Sequence, residues 1–277
     1  MTGVKSKPFL YVCAMVFLLT SARAEASTFN IQLNFGSSIS ESQKTIFTVA
    51  KTFWESVITG YKQAPGITSL VIAADTFVGA SGGALGSAGP TLGVTTANYL
   101  YARVGSMNFD SVDLDTVSEA NALAIITHEM AHVIGFGTLW SGSKLGYSGY
   151  QELYVAGTGQ YTGAYGLAQY QADFGLPSAT FIPVELEGGA GTANAHWDEA
   201  NNGSADGLFA GGKKELMTGW LNSGSTVSAT TIASFADLGY TTIYTDLAAS
   251  VPLPAGGYLM FFALMGMGMI KRREQRL

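Results

Sequence analysis

Apolar and polar positions alternate from Thr28 to Phe35, with Phe29, Ile31, Leu33 and Phe35 on one side, which is the two-residue period of a half-buried strand. From Ser40 to Tyr61 the period changes. Ile46, Val49, Ala50, Phe53, Trp54, Val57 and Ile58 recur at three- and four-residue spacing and predict an amphipathic helix. Ser40 is placed to cap it, and Gln43 to complete a capping box. Ser69–Ala74 reads as a short aliphatic strand, the glycine-rich stretch 79–93 as a loop, and Tyr99–Val104 as an aromatic strand. After an acidic turn at Asp110–Asp115 the helical period returns from Ser118 through Ala122, Ile125, Ile126 and Ile134. Beyond Gly137 regular period fades into glycine-broken segments such as Glu187-Gly188-Gly189-Ala190-Gly191. Order returns at Thr226–Leu238, a predicted helix with Gly239 at its C-cap. Strand, helix, strands and a second helix give an α+β architecture on a twisted sheet, followed by an irregular C-terminal lobe.

The two ends read differently. Lys5 and Lys7 precede an apolar run from Phe9 to Leu19, and Ala22-Arg23-Ala24 offers a small-x-small cleavage site, so residues 1–24 read as a secretory signal. Cys13, the single cysteine, lies inside it, which leaves the exported chain without thiol chemistry or disulfides. At the other end Val251-Pro252-Leu253-Pro254-Ala255 leads into an apolar stretch, 256–270, and then Lys271-Arg272-Arg273. Such a stretch is marginal for spanning a bilayer, and its basic flank would stay cytoplasmic. A simple tail anchor is the plainer alternative. Half of the 14 Lys and Arg sit in these two ends, whereas all but one of the 20 Asp and Glu lie between them. The body is therefore acidic, and nucleic acid is excluded as a partner on charge grounds.

The chemistry is concentrated in His128-Glu129-Met130-Ala131-His132, on the second predicted long helix. Residues four apart share a helical face, so both imidazoles reach one metal ion, and Glu129 is offset towards a metal-bound water. With 3 His in 277 residues, about 0.001 such matches are expected by chance. Gly135 allows the helix to end three residues later. Catalytic zinc takes three protein ligands plus a water. His196, in Asn194-Ala195-His196-Trp197-Asp198-Glu199, is the remaining histidine and the candidate third ligand, with Asp198 and Glu199 as alternatives. The acidic residues Asp110, Asp113 and Asp115 suggest calcium only weakly, since acids are favoured at a turn or helix start in any case.

The run from His128 to Gly137, then His196, then Glu215-Leu216-Met217-Thr218-Gly219, resembles the leishmanolysin-type metzincin metallopeptidases, and the resemblance spans roughly Thr28 to Leu247. Metzincins commonly place the third histidine six residues after the second. Here that position is Thr138, and the third histidine follows an insertion, as in the leishmanolysin branch. The resemblance implies a metzincin-like fold with a twisted mixed sheet and a zinc-binding helix, Zn²⁺ held by His128, His132 and His196, and Met217 in a methionine turn below them. It implies an endopeptidase acting on protein or peptide substrates, with Glu129 as the base that assists attack of a zinc-bound water. The chain would divide into the signal at 1–24, an N-terminal catalytic subdomain at 25–137, a C-terminal subdomain at 138–247 with the third histidine and methionine turn, and the tail at 251–277. That tail resembles exosortase sorting signals of the Val-Pro-Leu-Pro-Ala type, implying an exosortase-type processing protease, transient membrane association and an exported or surface location. The strand at Tyr99–Val104 is the expected edge on which an extended substrate pairs. The competing readings are a non-catalytic surface or matrix protein with a structural zinc site, and a zinc hydrolase of a non-peptide bond.

Overall fold

The computed structural model describes residues 28–79, 85–199 and 208–245. The expected signal at 1–24 and sorting tail at 251–277 lie outside the described residues. Strand β1 (Ile31–Phe35) begins the sheet where alternation predicted it. Helix α1 (Glu41–Val57) starts at the expected capping box: the Ser40 side chain accepts from the Gln43 backbone N–H, and the Gln43 side chain accepts from the Ser40 N–H. Phe47, Ala50, Trp54 and Val57 form its buried face, while Val49 is exposed. The helix stops short of Tyr61. Val57, Ile58 and Thr59 are β-branched and stiff, and Gly60 follows, so Ile58–Tyr61 leaves the helix as strand β2. Trp54 locks α1 to the helix behind it by donating Nε1–H to the Thr127 carbonyl at 3.0 Å.

Strand β3 (Leu70–Phe77) lies parallel to β1 in the sheet. The loop expected over 79–93 is largely a strand, β4 (Gly86–Thr95), paired antiparallel with β5 (Leu100–Asp110). Its Gly and Pro content hides it from local propensity, because cross-strand bonding to β5 decides the matter. The sheet order is β1-β3-β5-β4. Tyr99–Val104 falls mostly in β5, an inner strand: β4 pairs with it from Leu100 and β3 from Val104 onward, so one edge of the sheet is β1 and the other is β4. Pro90 within it fits that place, since an edge strand needs no outward N–H, and the register shifts around Pro90–Gly93.

The acidic segment is the end of β5 and a short helix, α2 (Ser111–Leu114), capped by Asp110, which accepts from the Val112 N–H. Asp110 and Asp113 are buried, so this is a helix start and not a solvated turn. Asp115 accepts from the Gln43 side chain, and the three acids form no metal-binding group among the described residues. Helix α3 (Glu119–Ile134) begins at Ser118 and ends at Gly135, whose φ is 138°. It packs across β4, β5 and α1, which sets the histidine-bearing face beside the sheet's edge strand.

After α3 the chain is mostly irregular, as expected, with short strands β6 (Gln160–Tyr161) and β7 (Ile182–Pro183). Between them lies a helix that local pattern does not reveal, α4 (Ala164–Phe174). Its cap residue Gly163 offers no side chain. Instead Asp237, at the end of helix α5 (Ala229–Asp237), accepts from the Tyr165 N–H at 2.9 Å and the Gly166 N–H at 2.8 Å, and from the Tyr161 hydroxyl. Strand β8 (Tyr240–Thr242) then returns to pair with β2. One aromatic network, Trp54–Phe235–Phe136–Trp197–Trp140, joins the sheet side to the irregular lobe at ring separations of 4.7 to 6.3 Å. Among the described residues no helix is long and apolar enough to cross a membrane.

Because Asp237 supplies the start of α4 with its only observed side-chain cap, Asp237→Ala leaves two backbone donors short of an acceptor and the Tyr161 hydroxyl with only its 3.3 Å bond to the Ser234 carbonyl. Chemical denaturation should show a loss of about 1–3 kcal/mol. A variant as stable as the parent would contradict this account of α4.

Candidate metal centre

His128 and His132 lie one turn apart on α3, so their rings leave the same face. His196 reaches them from the irregular lobe. Two features bring it there. The Trp197 N–H donates to the Met217 carbonyl at 3.0 Å, and the indole is buried against Phe136, Trp140 and Tyr161. On the opposing side Gly137 adopts φ 69°, and a Cβ there would stand 2.3 Å from the Ala195 carbonyl oxygen. A side chain at 137 would hold the histidine-bearing loop away from the end of α3.

The ring orientations follow from three backbone carbonyls. His128 Nδ1 lies 2.8 Å from the Leu216 oxygen, His132 Nδ1 2.9 Å from the Phe136 oxygen, and His196 Nδ1 2.8 Å from the Thr192 oxygen. A carbonyl only accepts, so each bond places the imidazole proton on Nδ1 and leaves a lone pair on Nε2. The three Nε2 atoms converge, each 3.0 Å from the other two. Three acceptors at that spacing have no proton to share and repel one another unless a cation lies among them. The donor set is therefore that of a metal site, and imidazole nitrogen suits zinc. Among the described residues the three histidines are the group able to hold an ion; Asp198 and Glu199, the alternatives for third ligand, are not part of it. Glu199 instead accepts from the Asn222 side chain.

Burial keeps these rings in their neutral, lone-pair form. It draws His128 down to about 4 and His196 to about 3, and holds His132 well below the ordinary histidine value, with the neighbouring rings adding to the effect on His132 and His196. Burial acts oppositely on Glu129, pushing its carboxyl up to about 7. Glu129 and His128 share a cleft of about 340 Å³. Its walls come from Leu85 just before β4 and Gly86 at its start, from Ile125 on α3, from the 190–196 loop and from the 216–221 segment.

Met217 is fully buried, and the turn that carries it supplies the Leu216 carbonyl to His128 and the Met217 carbonyl to Trp197. Sequence reasoning did not find the three carbonyls, which carry no residue-type signal, nor the cleft wall at Leu85 and Gly86. The 215–219 run contains Glu215 but gives it no role; it is a buried carboxylate that accepts from the Met217 N–H at 2.9 Å. If the approach of Ala195 to Gly137 seats His196, Gly137→Ala should retain its secondary structure by circular dichroism and lose at least about tenfold in Zn²⁺ affinity in competition with a chromophoric chelator. Parent-like affinity would contradict that role.

The leishmanolysin family model matches residues 94–252, from the end of β4 past β8, and so takes in α3, His196 and the 215–219 turn. A search of curated proteins returns no match. The match covers more than half of the chain, and its residues are those that assemble the three-imidazole site, so the chain belongs to the leishmanolysin family of metallopeptidases.

Proposed function

We propose that this protein is a zinc-dependent endopeptidase, exported or displayed at the cell surface. The observation that carries the reading is the convergence of three proton-free Nε2 atoms beside a cleft that also holds Glu129. His128, His132 and His196 would hold the ion. Bound there, Zn²⁺ supplies Lewis acidity, polarising a peptide carbonyl and lowering the pKa of water towards ~7.

The chain's own residues supply the rest. Glu129, adjacent in sequence to His128 and facing the cleft, takes the proton of the attacking water and returns it to the leaving amine. The outer edge of β4, which begins at the cleft wall, offers backbone groups along which an extended peptide pairs as an added strand. Met217 supports the turn below His128. A structural zinc site is usually closed by a fourth protein ligand; the three-histidine group with an accompanying cleft and carboxylate favours catalysis over that alternative. The division near residue 137, the export signal at 1–24 and the exosortase-type tail at 251–277 belong to the same reading. On this reading the peptidase acts outside the cytoplasm, with transient membrane association through the tail.

Glu129→Gln should keep one Zn²⁺ per chain by atomic absorption while losing about 10²- to 10⁴-fold in kcat on casein or a fluorogenic peptide. Unchanged turnover would remove Glu129 from the role of base. The acid limb of kcat/KM should follow protonation of Glu129. Its midpoint should lie at or below about 7, since burial raises this carboxyl and a nearby cation lowers it. Over pH 7 to 5 the imidazoles stay neutral, so activity should fall while zinc is retained. Activity lost only in step with zinc release would contradict this.

A further inference from the structure

We propose that Glu215 is a positioning residue that holds His128 and His196 in register for a shared metal ion. The proposal rests on the reading that the three imidazoles bind zinc. Glu215 is 2% exposed and does not line the cleft, so it has no route to a substrate. Its carboxylate is nonetheless the meeting point of two arms that end on different histidines.

The first arm runs through the turn. Glu215 Oε1 accepts from the Met217 N–H at 2.9 Å, which folds the carboxylate back over the residue between them. That residue is Leu216, whose carbonyl accepts the His128 Nδ1 proton at 2.8 Å. With the backbone pinned on both sides of Leu216, the direction of its carbonyl is fixed, and with it the tautomer and orientation of His128. The second arm runs through α5. Thr231 donates its hydroxyl proton to Glu215 Oε1 at 3.0 Å and receives Nε1–H of Trp197 at 2.8 Å. Trp197 directly follows His196, and its own N–H returns to the Met217 carbonyl of the same turn. The other oxygen, Oε2, accepts from the Ser228 N–H at 3.1 Å, so the start of α5 anchors the whole assembly.

A carboxylate suits this place because three of its neighbours are donors and it only accepts. A purely architectural Glu215 would also join turn to helix. Its loss would then lower stability and leave the metal affinity of the folded protein unchanged. The two roles separate on a readout other than activity.

The test uses the full chain in parallel with Glu215→Gln and Thr231→Val. Glu215→Gln keeps the shape of the side chain but sets an amide NH₂ against one of the donors. Thr231→Val removes the hydroxyl that joins the two arms and leaves the turn's own residues intact. Zn²⁺ affinity is read by competition with a chromophoric chelator, and the ligand field from the visible absorption of the Co²⁺-substituted protein. Both variants should lose about 10- to 100-fold in Zn²⁺ affinity and show altered Co²⁺ bands. A folded Glu215→Gln protein with affinity within twofold of the parent and an unchanged Co²⁺ spectrum overturns the proposal. If Glu215→Gln does not fold, Thr231→Val decides, and parent-like affinity in that variant overturns it equally. Should the unaltered chain itself bind no Zn²⁺, the metal reading fails and takes this proposal with it, a result distinguishable because it appears in the parent.

Discussion

Three imidazoles that each donate their Nδ1–H to a backbone carbonyl cannot satisfy one another. That constraint governs the molecule. Their Nε2 atoms stand 3.0 Å apart in a buried setting, every one an acceptor, and the arrangement is stable only around a positive charge. Much of the surrounding fold can be understood as what imposes it. Helix α3 supplies two rings by simple periodicity, and the Phe136 carbonyl, just beyond the end of that helix, orients His132. The third ring arrives from a distant loop, held by the buried Trp197 and admitted by the absence of a side chain at Gly137.

The same constraint explains why the irregular lobe is not loosely attached. It has little repetitive backbone pairing, yet its aromatic residues interlock with the sheet side through Phe136 and Phe235, and its polar backbone is tied down by single buried side chains. Asp237 and Glu215 act as local substitutes for regular secondary structure, each gathering two or more donors on one carboxylate. Burying such groups is costly unless every donor is met, so they fix one arrangement and penalise alternatives. A catalytic ion needs that kind of rigidity around its ligands.

How much of this was legible depended on how local each signal was. The capping box at Ser40, the start of α3 at Ser118 and the pairing of His128 with His132 are written within a few residues and could be read directly. His196 could be chosen because few histidines exist. Strand β4 was hidden because its glycines and Pro90 argue for a loop, and only β5, the neighbouring strand, makes it a strand. Helix α4 was hidden because its cap, Asp237, lies far along the chain. Within α1 the apolar stripe is local but its flanks are not: Phe47 is buried and Val49 exposed, since the neighbours on each side decide which flank faces the core. The carbonyls of Leu216, Phe136 and Thr192 had no signal at all, for any residue in those positions provides one.

The central claim is that all three imidazoles share one ion through Nε2 while a coordination position stays open. X-ray absorption at the zinc edge, on the purified chain loaded with one equivalent of Zn²⁺, tests it most directly. The account requires three imidazole nitrogens at ~2.0–2.1 Å and a further light-atom ligand from solvent. A shell with fewer than three imidazoles, or one closed by a protein carboxylate in the fourth place, would contradict it.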